Sequence, residues 1–376
     1  MTPTGHYNQP IKSKPDSGQL NTDIYALRRA ALAPLLPGPN TARLPAATAA
    51  ALQQNREDLL ALVLAQGLGP LWDHWLTTTA ADVFDDTERD LLRAARRNAA
   101  AHYLMQKHAL AEVRHTLDSA GIAHVVIKGV QLREILYSEP ALRVAADIDM
   151  LVAPEKRFAA TRALVGAGFT PVINSDTISH EISLHRGHLD IDLHWDVLRP
   201  GRTRTPLAAE FVAQRRDTGS HWAPTPTATL FLMLVHPVIS KYCTTPHASI
   251  IRVLDIALWL EEQSPDWEAL ADLLARAGLK TAAWIMLAWL RMLTGITAPE
   301  HFIRAVQPGP LRRTYLHHWL ANDLSTRLLD NPLLIQLGFT LPAHDRPADA
   351  LRATRRALAA SREAEAQARV FRDLVP

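Results

Sequence analysis

The chain has 376 residues, 48% of them hydrophobic, and its 40 basic side chains nearly balance its 38 acidic ones. A chain of this size buries a sizeable core and has room for two or three subdomains. The formal charge of +2 argues against an extended nucleic-acid surface, which needs a concentrated basic face. The single cysteine, Cys243, excludes an internal disulfide and a four-cysteine zinc site, and it favours the reducing cytoplasm.

The chain begins with a polar segment and continues into helices. Residues 1–22 carry scattered proline and glycine and lack an apolar signal segment, so a disordered tail is expected. Residues 23–120 are rich in alanine and leucine, are interrupted at the GLGP motif, and end in a long helical pattern over residues 86–119. No apolar run approaches the ~20 residues that span a bilayer, so no membrane partner is expected.

Residues 121–200 form the predicted α/β core, because β-type alternation recurs only there. The β-branched run from Val125 to Ile127 predicts a buried strand, and a helical pattern begins at Val130. Between them, Gly129 can adopt φ > 0 and would let a phosphate approach the backbone. Free backbone N–H groups at the helix start would favour an anion there.

The motif DID follows, with Asp147 and Asp149 two residues apart. In a strand, alternate side chains share a face, so the two carboxylates are expected to project together. Paired carboxylates repel each other unless a cation lies between them, and their hard oxygen atoms suit Mg²⁺ or Mn²⁺. The alternative is an exposed edge strand whose aspartates are simply solvated.

A second acidic strand follows a short strand candidate over residues 182–187, with a hairpin turn at the glycine between them. Its alternation places Asp190 and Asp192 on one face with His188 and His194. Asp192 is the expected third carboxylate of the site, and Asp190 is the second choice. His194 is expected to orient an aspartate, and a transition-metal site on this face is the lesser alternative.

Residues 201–376 return to helical patterns. Helices are predicted over residues 224–239, 247–263, 267–277 and 281–293. The expected class is α+β, with a compact mixed-sheet core embedded between helical regions. Arg252 and Asp255 lie three apart in an apolar helix and are expected to pair with each other or to orient neighbouring side chains.

The strand into KG, the DIDMLV strand and the DLHW strand, taken together, resemble the uncharacterised bacterial nucleotidyltransferase-like family within the polymerase β-like nucleotidyltransferase superfamily. The resemblance covers about residues 100–295. It implies a small mixed sheet flanked by helices. It also implies that Asp147, Asp149 and Asp192 hold two Mg²⁺ or Mn²⁺ ions, which bridge them to a nucleoside triphosphate such as ATP.

Several basic residues are candidates for phosphate contact in this family context. The usual Gly-Gly or Gly-Ser turn is replaced by Lys128-Gly129, where the lysine would act as a point charge on phosphate, with a solvated surface lysine as the alternative. Arg143 is a second candidate, with a surface loop arginine as its alternative. The resemblance places the apolar helix with His236 and the following Lys241 beside the nucleotide, although a buried core histidine is the simpler interpretation of His236.

The expected activity is transfer of a nucleoside monophosphate from a triphosphate to an acceptor, with release of pyrophosphate. The acceptor would be a small molecule, a peptide or a protein, and the sequence does not identify it. One alternative is a non-catalytic module that keeps the fold for nucleotide sensing or partner binding. A lesser alternative is a kinase-like transfer of the terminal phosphate.

Overall fold

The computed structural model describes residues 23–38, 44–173 and 180–374. The predicted tail over residues 1–22 lies outside these ranges. Within them, a five-stranded mixed sheet is surrounded by helices, which confirms the α+β class. None of the helices in these ranges combines the length and apolarity needed to cross a membrane.

The helices before the sheet lead directly into its first strand. They are α1 Ile24–Leu32, α2 Ala46–Gln54, α3 Arg56–Ala65, α4 Gly69–Thr79 and α5 Asp86–Ser119. The long pattern predicted over residues 86–119 is confirmed as α5. Asp85 and Glu88 form a reciprocal capping box at its start, which satisfies backbone N–H groups that have no partner inside the helix.

The sheet has the order β1-β2-β5-β4-β3. The strands are β1 His124–Val126, β2 Ile148–Val152, β3 Thr170–Val172, β4 Glu181–Arg186 and β5 Leu189–His194, with α6 Lys128–Leu136 and α7 Arg157–Gly166 between them in the chain. Strand β2 runs parallel to β5, and the other neighbours are antiparallel. The predicted hairpin is confirmed, with Gly187 at φ 63° in its turn.

The chain after the sheet is mainly helical, as predicted. Its elements are α8 Ala208–Ala213, β6 Arg216–Asp217, β7 Trp222–Ala223, α9 Pro226–Ile239, α10 Ile251–Glu262, α11 Trp267–Ala277, α12 Lys280–Thr294, α13 Glu300–Val306, α14 Pro310–Ala321, α15 Leu324–Arg327, α16 Pro332–Ile335 and α17 Pro347–Arg372. The predicted start of α10 at His247 is wrong. Pro246–Ala248 forms a separate 3₁₀ turn, and Ser249 at φ 51° interrupts the helical backbone before Ile251.

The sheet separates two hydrophobic cores because alternate strand residues point to opposite faces. Val126 and Met150 pack on the side of α5 and α7, where Phe371 near the end of α17 also contributes. Val125 and Leu151 pack on the other side, in a larger cluster shared by helices from before and after the sheet. This larger core includes residues from the helical regions on both sides of the sheet in the chain. The domain limits drawn from the sequence stay a prediction.

Candidate active site

Two of the predicted carboxylates meet on neighbouring strands. Asp149 on β2 is the direct register partner of Asp192 on β5, so the expected adjacency of the two acidic strands is confirmed. Asp147 lies just before β2. Ser183 on β4 donates a hydrogen bond of 2.6 Å to Asp192 and thereby fixes its carboxylate. One face of the sheet therefore presents three aspartates together.

Asp190, the second choice for the third carboxylate, lies elsewhere. It pairs with His185 on β4 in the exposed part of the hairpin, and its carboxylate is 3.0 Å from the His185 imidazole. His188 lies in the turn before β5, so it does not share the strand face as predicted. Asp192 is the only one of the two aspartates that adjoins Asp149 in the sheet.

Lys128 contacts this carboxylate group directly. Its Nζ donates to Asp149 Oδ1 across 2.5 Å, and both side chains are largely buried. The left-handed backbone conformation falls on Lys128, with φ 59°, and Gly129 begins an ordinary helical turn instead. Gly129 therefore does not use the positive φ that its residue type allows. A side chain in this region costs roughly 1–2 kcal/mol, which the contact with Asp149 helps to offset.

Gly129 is required by a close neighbour. A Cβ atom added at this position would lie 2.6 Å from Nη1 of Arg143 and 3.2 Å from Cβ of Ala145. Arg143 cannot move away easily, because its guanidinium donates hydrogen bonds to the buried carboxylate of Asp255. Glycine is thus needed at position 129 because a larger residue would collide with the side chain of Arg143.

The partners of Arg143 and Asp255 correct two interpretations made from the sequence. Arg143 is 5% exposed and forms a buried ion pair with Asp255 at 2.7 Å, so it is not a surface loop residue. Tyr137 donates a further hydrogen bond to Asp255 at 2.8 Å. Asp255 thus orients its neighbours, which was one of the two expectations for it, and its ion pair is formed with Arg143 instead of Arg252. With its guanidinium engaged, Arg143 is poorly placed to contact phosphate, and that role stays a prediction.

His194 connects Asp149 with a carboxylate that sequence reasoning missed. Its Nε2 lies 2.8 Å from Asp149, which confirms the expectation that His194 orients an aspartate. Its Nδ1 lies 3.0 Å from Glu181 on β4, and His180 adjoins Glu181 at 3.4 Å. The sequence did contain a signal for Glu181, which lies one residue before the predicted strand and two residues before Ser183. Alternation therefore places both side chains on one face of the sheet, where they pair with His194 and Asp192 of β5.

The charges in this cluster interact strongly. The negative charge of Asp149, together with burial and the charge of Asp192, raises the pKa of Asp147 to about 7. Burial also opposes ionisation of Asp149, but the charge of Lys128 and hydrogen bonding from His194 outweigh it and lower the pKa of Asp149. Burial lowers the pKa of His180 to about 3. The charge of Asp147 is thus poorly compensated by its neighbours in this cluster.

Basic side chains from the C-terminal helical region interact electrostatically with these carboxylates. His236 on α9 is 8% exposed, and its Nδ1 has no hydrogen-bond partner among the described residues. Burial and the charges of Lys128, Arg252 and Lys241 keep the pKa of His236 well below its ordinary value. Burial, with the charges of Arg252 and Lys128, also lowers the pKa of Lys241, while nearby carboxylates oppose the shift. Sequence reasoning gave Arg252 no contact with this site, yet it lies in the same group.

The carboxylates fit a divalent cation. Ligand atoms of Asp149, Asp192 and His194 all lie within 4.8 Å of one another. Carboxylate oxygens are the donors that Mg²⁺ and Mn²⁺ prefer. The raised pKa of Asp147 independently indicates repulsion between carboxylates, which a cation would relieve.

Comparison with known proteins agrees with this site. Residues 53–295, more than half of the chain, match a family model described as an uncharacterised nucleotidyltransferase. The match begins before residue 100, so it takes in more of the N-terminal helices than the motifs indicated. No curated protein and no solved structure gives a significant match. The chain belongs to the uncharacterised nucleotidyltransferase family.

Proposed function

We propose that the protein is a metal-dependent nucleotidyltransferase, which moves a nucleoside monophosphate from a nucleoside triphosphate to an acceptor and releases pyrophosphate. Family membership supports nucleotidyl transfer in general. The observation that carries the proposal is the pairing of Asp149 with Asp192 across parallel strands, with Asp147 beside them. The cationic groups around these carboxylates suit the charge of a triphosphate.

Asp147, Asp149 and Asp192 would hold the metal ions, most simply two Mg²⁺ or Mn²⁺. When bound, such ions neutralise phosphate charge and make a hydroxyl a better nucleophile. The protein's own contribution is to hold the three carboxylates in place. Lys128 and His194 fix Asp149, and Ser183 fixes Asp192 through its 2.6 Å hydrogen bond.

The cations near the carboxylates would bind the triphosphate. Lys128 begins α6, while Lys241 and Arg252 approach from the segment after α9 and from α10. Arg252 has a buried Nε without a hydrogen-bond partner among the described residues, as does His236 at Nδ1. Unpaired buried polar groups are costly, so a ligand that pairs with them would be favoured.

Asp192 is also the proposed acceptor for the proton of the attacking hydroxyl. Burial raises its pKa, which makes its carboxylate a better base than an exposed aspartate. Glu181 and His194 surround this position and keep it polar. The acceptor molecule itself is proposed only as a small molecule, peptide or protein that offers a hydroxyl or amine.

The first experiment is a thermal-shift panel with each of the four common nucleoside triphosphates plus Mg²⁺ or Mn²⁺. A ligand at ~100 times its Kd adds about 2.7 kcal/mol of stability, which raises Tm by a few degrees. We expect a metal-dependent shift in the parent protein and its loss in Asp147→Asn/Asp149→Asn. Asp190→Asn is the matched control, because it alters an exposed aspartate of the same sheet that adjoins no other site carboxylate. An equal shift in all three proteins would contradict the proposal.

A specific observation favours a second candidate function. The second candidate is a non-catalytic protein that binds nucleotide without a metal. The Lys128 ammonium pairs with Asp149 and neutralises its charge, so this carboxylate needs no metal ion for that purpose. Product analysis separates the candidates. Pyrophosphate indicates nucleotidyl transfer, a nucleoside diphosphate indicates a kinase-like reaction, and a thermal shift with nucleotide but without any product indicates the non-catalytic module.

A cytoplasmic location belongs to the same proposal, because triphosphates are abundant there and the single cysteine, Cys243, is a buried free thiol.

A further inference from the structure

A second group of metal-type ligands lies at the opposite nitrogen of the His194 ring. Ligand atoms of His180, Glu181 and His194 all lie within 4.8 Å of one another. Glu181 Oε2 is 3.0 Å from His194 Nδ1 and 3.4 Å from His180 Nε2. We propose that these three residues bind one divalent transition ion of the Zn²⁺ type, at a site separate from the aspartate ligands.

The donor set selects the class of ion. Two imidazole nitrogens and one carboxylate oxygen suit Zn²⁺ and similar ions, whereas Mg²⁺ prefers oxygen donors alone. Tetrahedral donors about 2.1 Å from one ion lie about 3.4 Å apart, and the two contacts of Glu181, at 3.0 and 3.4 Å, already approach this spacing. Three protein ligands leave a fourth position for water or a substrate group, as in catalytic zinc sites.

The surroundings of His194 prepare it as a ligand. In the tautomer that carries the proton on Nε2, this N–H donates to Asp149 at 2.8 Å and the lone pair of Nδ1 lies beside Glu181; the Lys128 ammonium is 3.2 Å from the same Nε2. A carboxylate that holds the far nitrogen of a ligating histidine is the usual arrangement in metal sites. Register supports the geometry, because Glu181 and His194 are direct partners across β4 and β5. The sheet therefore fixes two of the three ligands.

The competing explanation is a hydrogen-bonded network in which Glu181 only orients His194. The two explanations differ in what a metal titration shows, and neither depends on the proposed nucleotidyl transfer. The carboxylates of Asp147, Asp149 and Asp192 are not ligands of the transition ion, so either proposal can fail without the other.

The test uses the full chain without a polyhistidine tag, stripped of metal with a chelator and titrated with Co²⁺. We expect one equivalent of Co²⁺ to give a visible d–d absorption band that Zn²⁺ abolishes by displacement. His180→Gln and Glu181→Gln should each weaken Co²⁺ binding by about tenfold or more, since even indirect partners of metal ligands contribute 10–100-fold. His185→Gln, an exposed histidine on the same strand β4, should leave binding unchanged.

Absence of the band, or a band that both ligand variants retain, would overturn the proposal. So would a band that Asp192→Asn removes and His180→Gln retains, because the ion would then lie among the aspartates. Metal-free melting curves that match the parent protein establish that the variants fold, and Glu181→Gln decides the result if His180→Gln does not. The panel with Mg²⁺ and nucleotide, repeated on Glu181→Gln, shows separately whether the nucleotide site is intact.

Discussion

The ammonium group of Lys128 lies 2.5 Å from the carboxylate of Asp149, and the backbone of Lys128 adopts a left-handed φ of 59° to place it there. A lysine thus stands beside the carboxylate at the centre of the proposed metal site. It keeps Asp149 ionised in the metal-free protein. A divalent ion that binds Asp149 must share the carboxylate with this ammonium or move it toward the phosphates.

Replacing Lys128 by methionine should therefore affect metal and nucleotide in opposite directions. Lys128→Met keeps the bulk of the side chain but removes the competing positive charge, so affinity for Mg²⁺ alone should rise. Affinity for the nucleoside triphosphate in the presence of Mg²⁺ should fall, because one phosphate contact is lost. Isothermal titration calorimetry measures both, with Lys107→Met, an exposed lysine of α5, as the control. A fall in both affinities would mean that Lys128 mainly supports the local structure.

Asp147 should make the metal-free protein less stable as the pH rises. Its pKa is about 7 in the folded protein and 3.8 as an ordinary value, so between these limits the folded state retains a proton that the unfolded state has lost. Raising the pH then favours unfolding, and stability is lost between about pH 4 and pH 7. Asp147→Asn removes this loss of stability, which amounts to about 1.4 kcal/mol for each unit by which folding raises the pKa of Asp147.

Urea unfolding with a chelator, at pH 5 and pH 8, measures this effect. As the pH rises, the free energy of unfolding of Asp147→Asn should increase relative to that of the parent protein. At pH 8, Mg²⁺ should stabilise the parent protein but not the variant. The raised pKa of Asp196 is common to both proteins and cancels in the comparison. Parallel pH profiles for the two proteins would show that the charge of Asp147 is compensated in the fold.

Local sequence patterns predicted the elements that carry the site. Strand alternation correctly placed Asp149 and Asp192 in strands, because a period of two residues decides which side chains share a face. The strong helical pattern of α5 was also predicted within its exact limits. These features depend on residues close together in the chain.

Features that depend on distant residues were missed. Asp255 lies 112 residues after Arg143, and no local pattern shows that the two side chains pair in the core. Residue type allows the left-handed conformation at Gly129, yet the structure has it at Lys128, whose ammonium contacts Asp149, while the glycine leaves room for Arg143. Tertiary contacts therefore overrode the local preference at this turn.

Gly129→Ala should destabilise the protein even though the position is helical. The new Cβ would lie 2.6 Å from the guanidinium of Arg143, which Asp255 holds, and such overpacking typically costs about 1–3 kcal/mol. Gly166→Ala is the matched control, because this helical glycine at the end of α7 has open space around it, and alanine there should be neutral or stabilising. Chemical denaturation compares the two variants. Equal stability would show that Arg143 has room to move.

His236→Leu should separate stability from ligand binding. The Nδ1 of this buried imidazole has no hydrogen-bond partner among the described residues, and an unsatisfied buried polar group costs about 1–3 kcal/mol. Leucine removes that cost in the apolar helix α9, so the ligand-free variant should be at least as stable as the parent. Nucleotide affinity should nevertheless fall, if His236 donates to the bound ligand.

Thermal melting without ligand and calorimetry with nucleotide and Mg²⁺ measure the two effects of His236→Leu. His344→Leu is the control, since His344 is also buried and has an unpaired Nε2, but it lies in the helical region before α17. The control should change stability and leave nucleotide affinity as it is. If His236→Leu lowers stability and leaves nucleotide affinity unchanged, His236 is a packing residue of the core, and the ligand pairs with Lys241 and Arg252 without it.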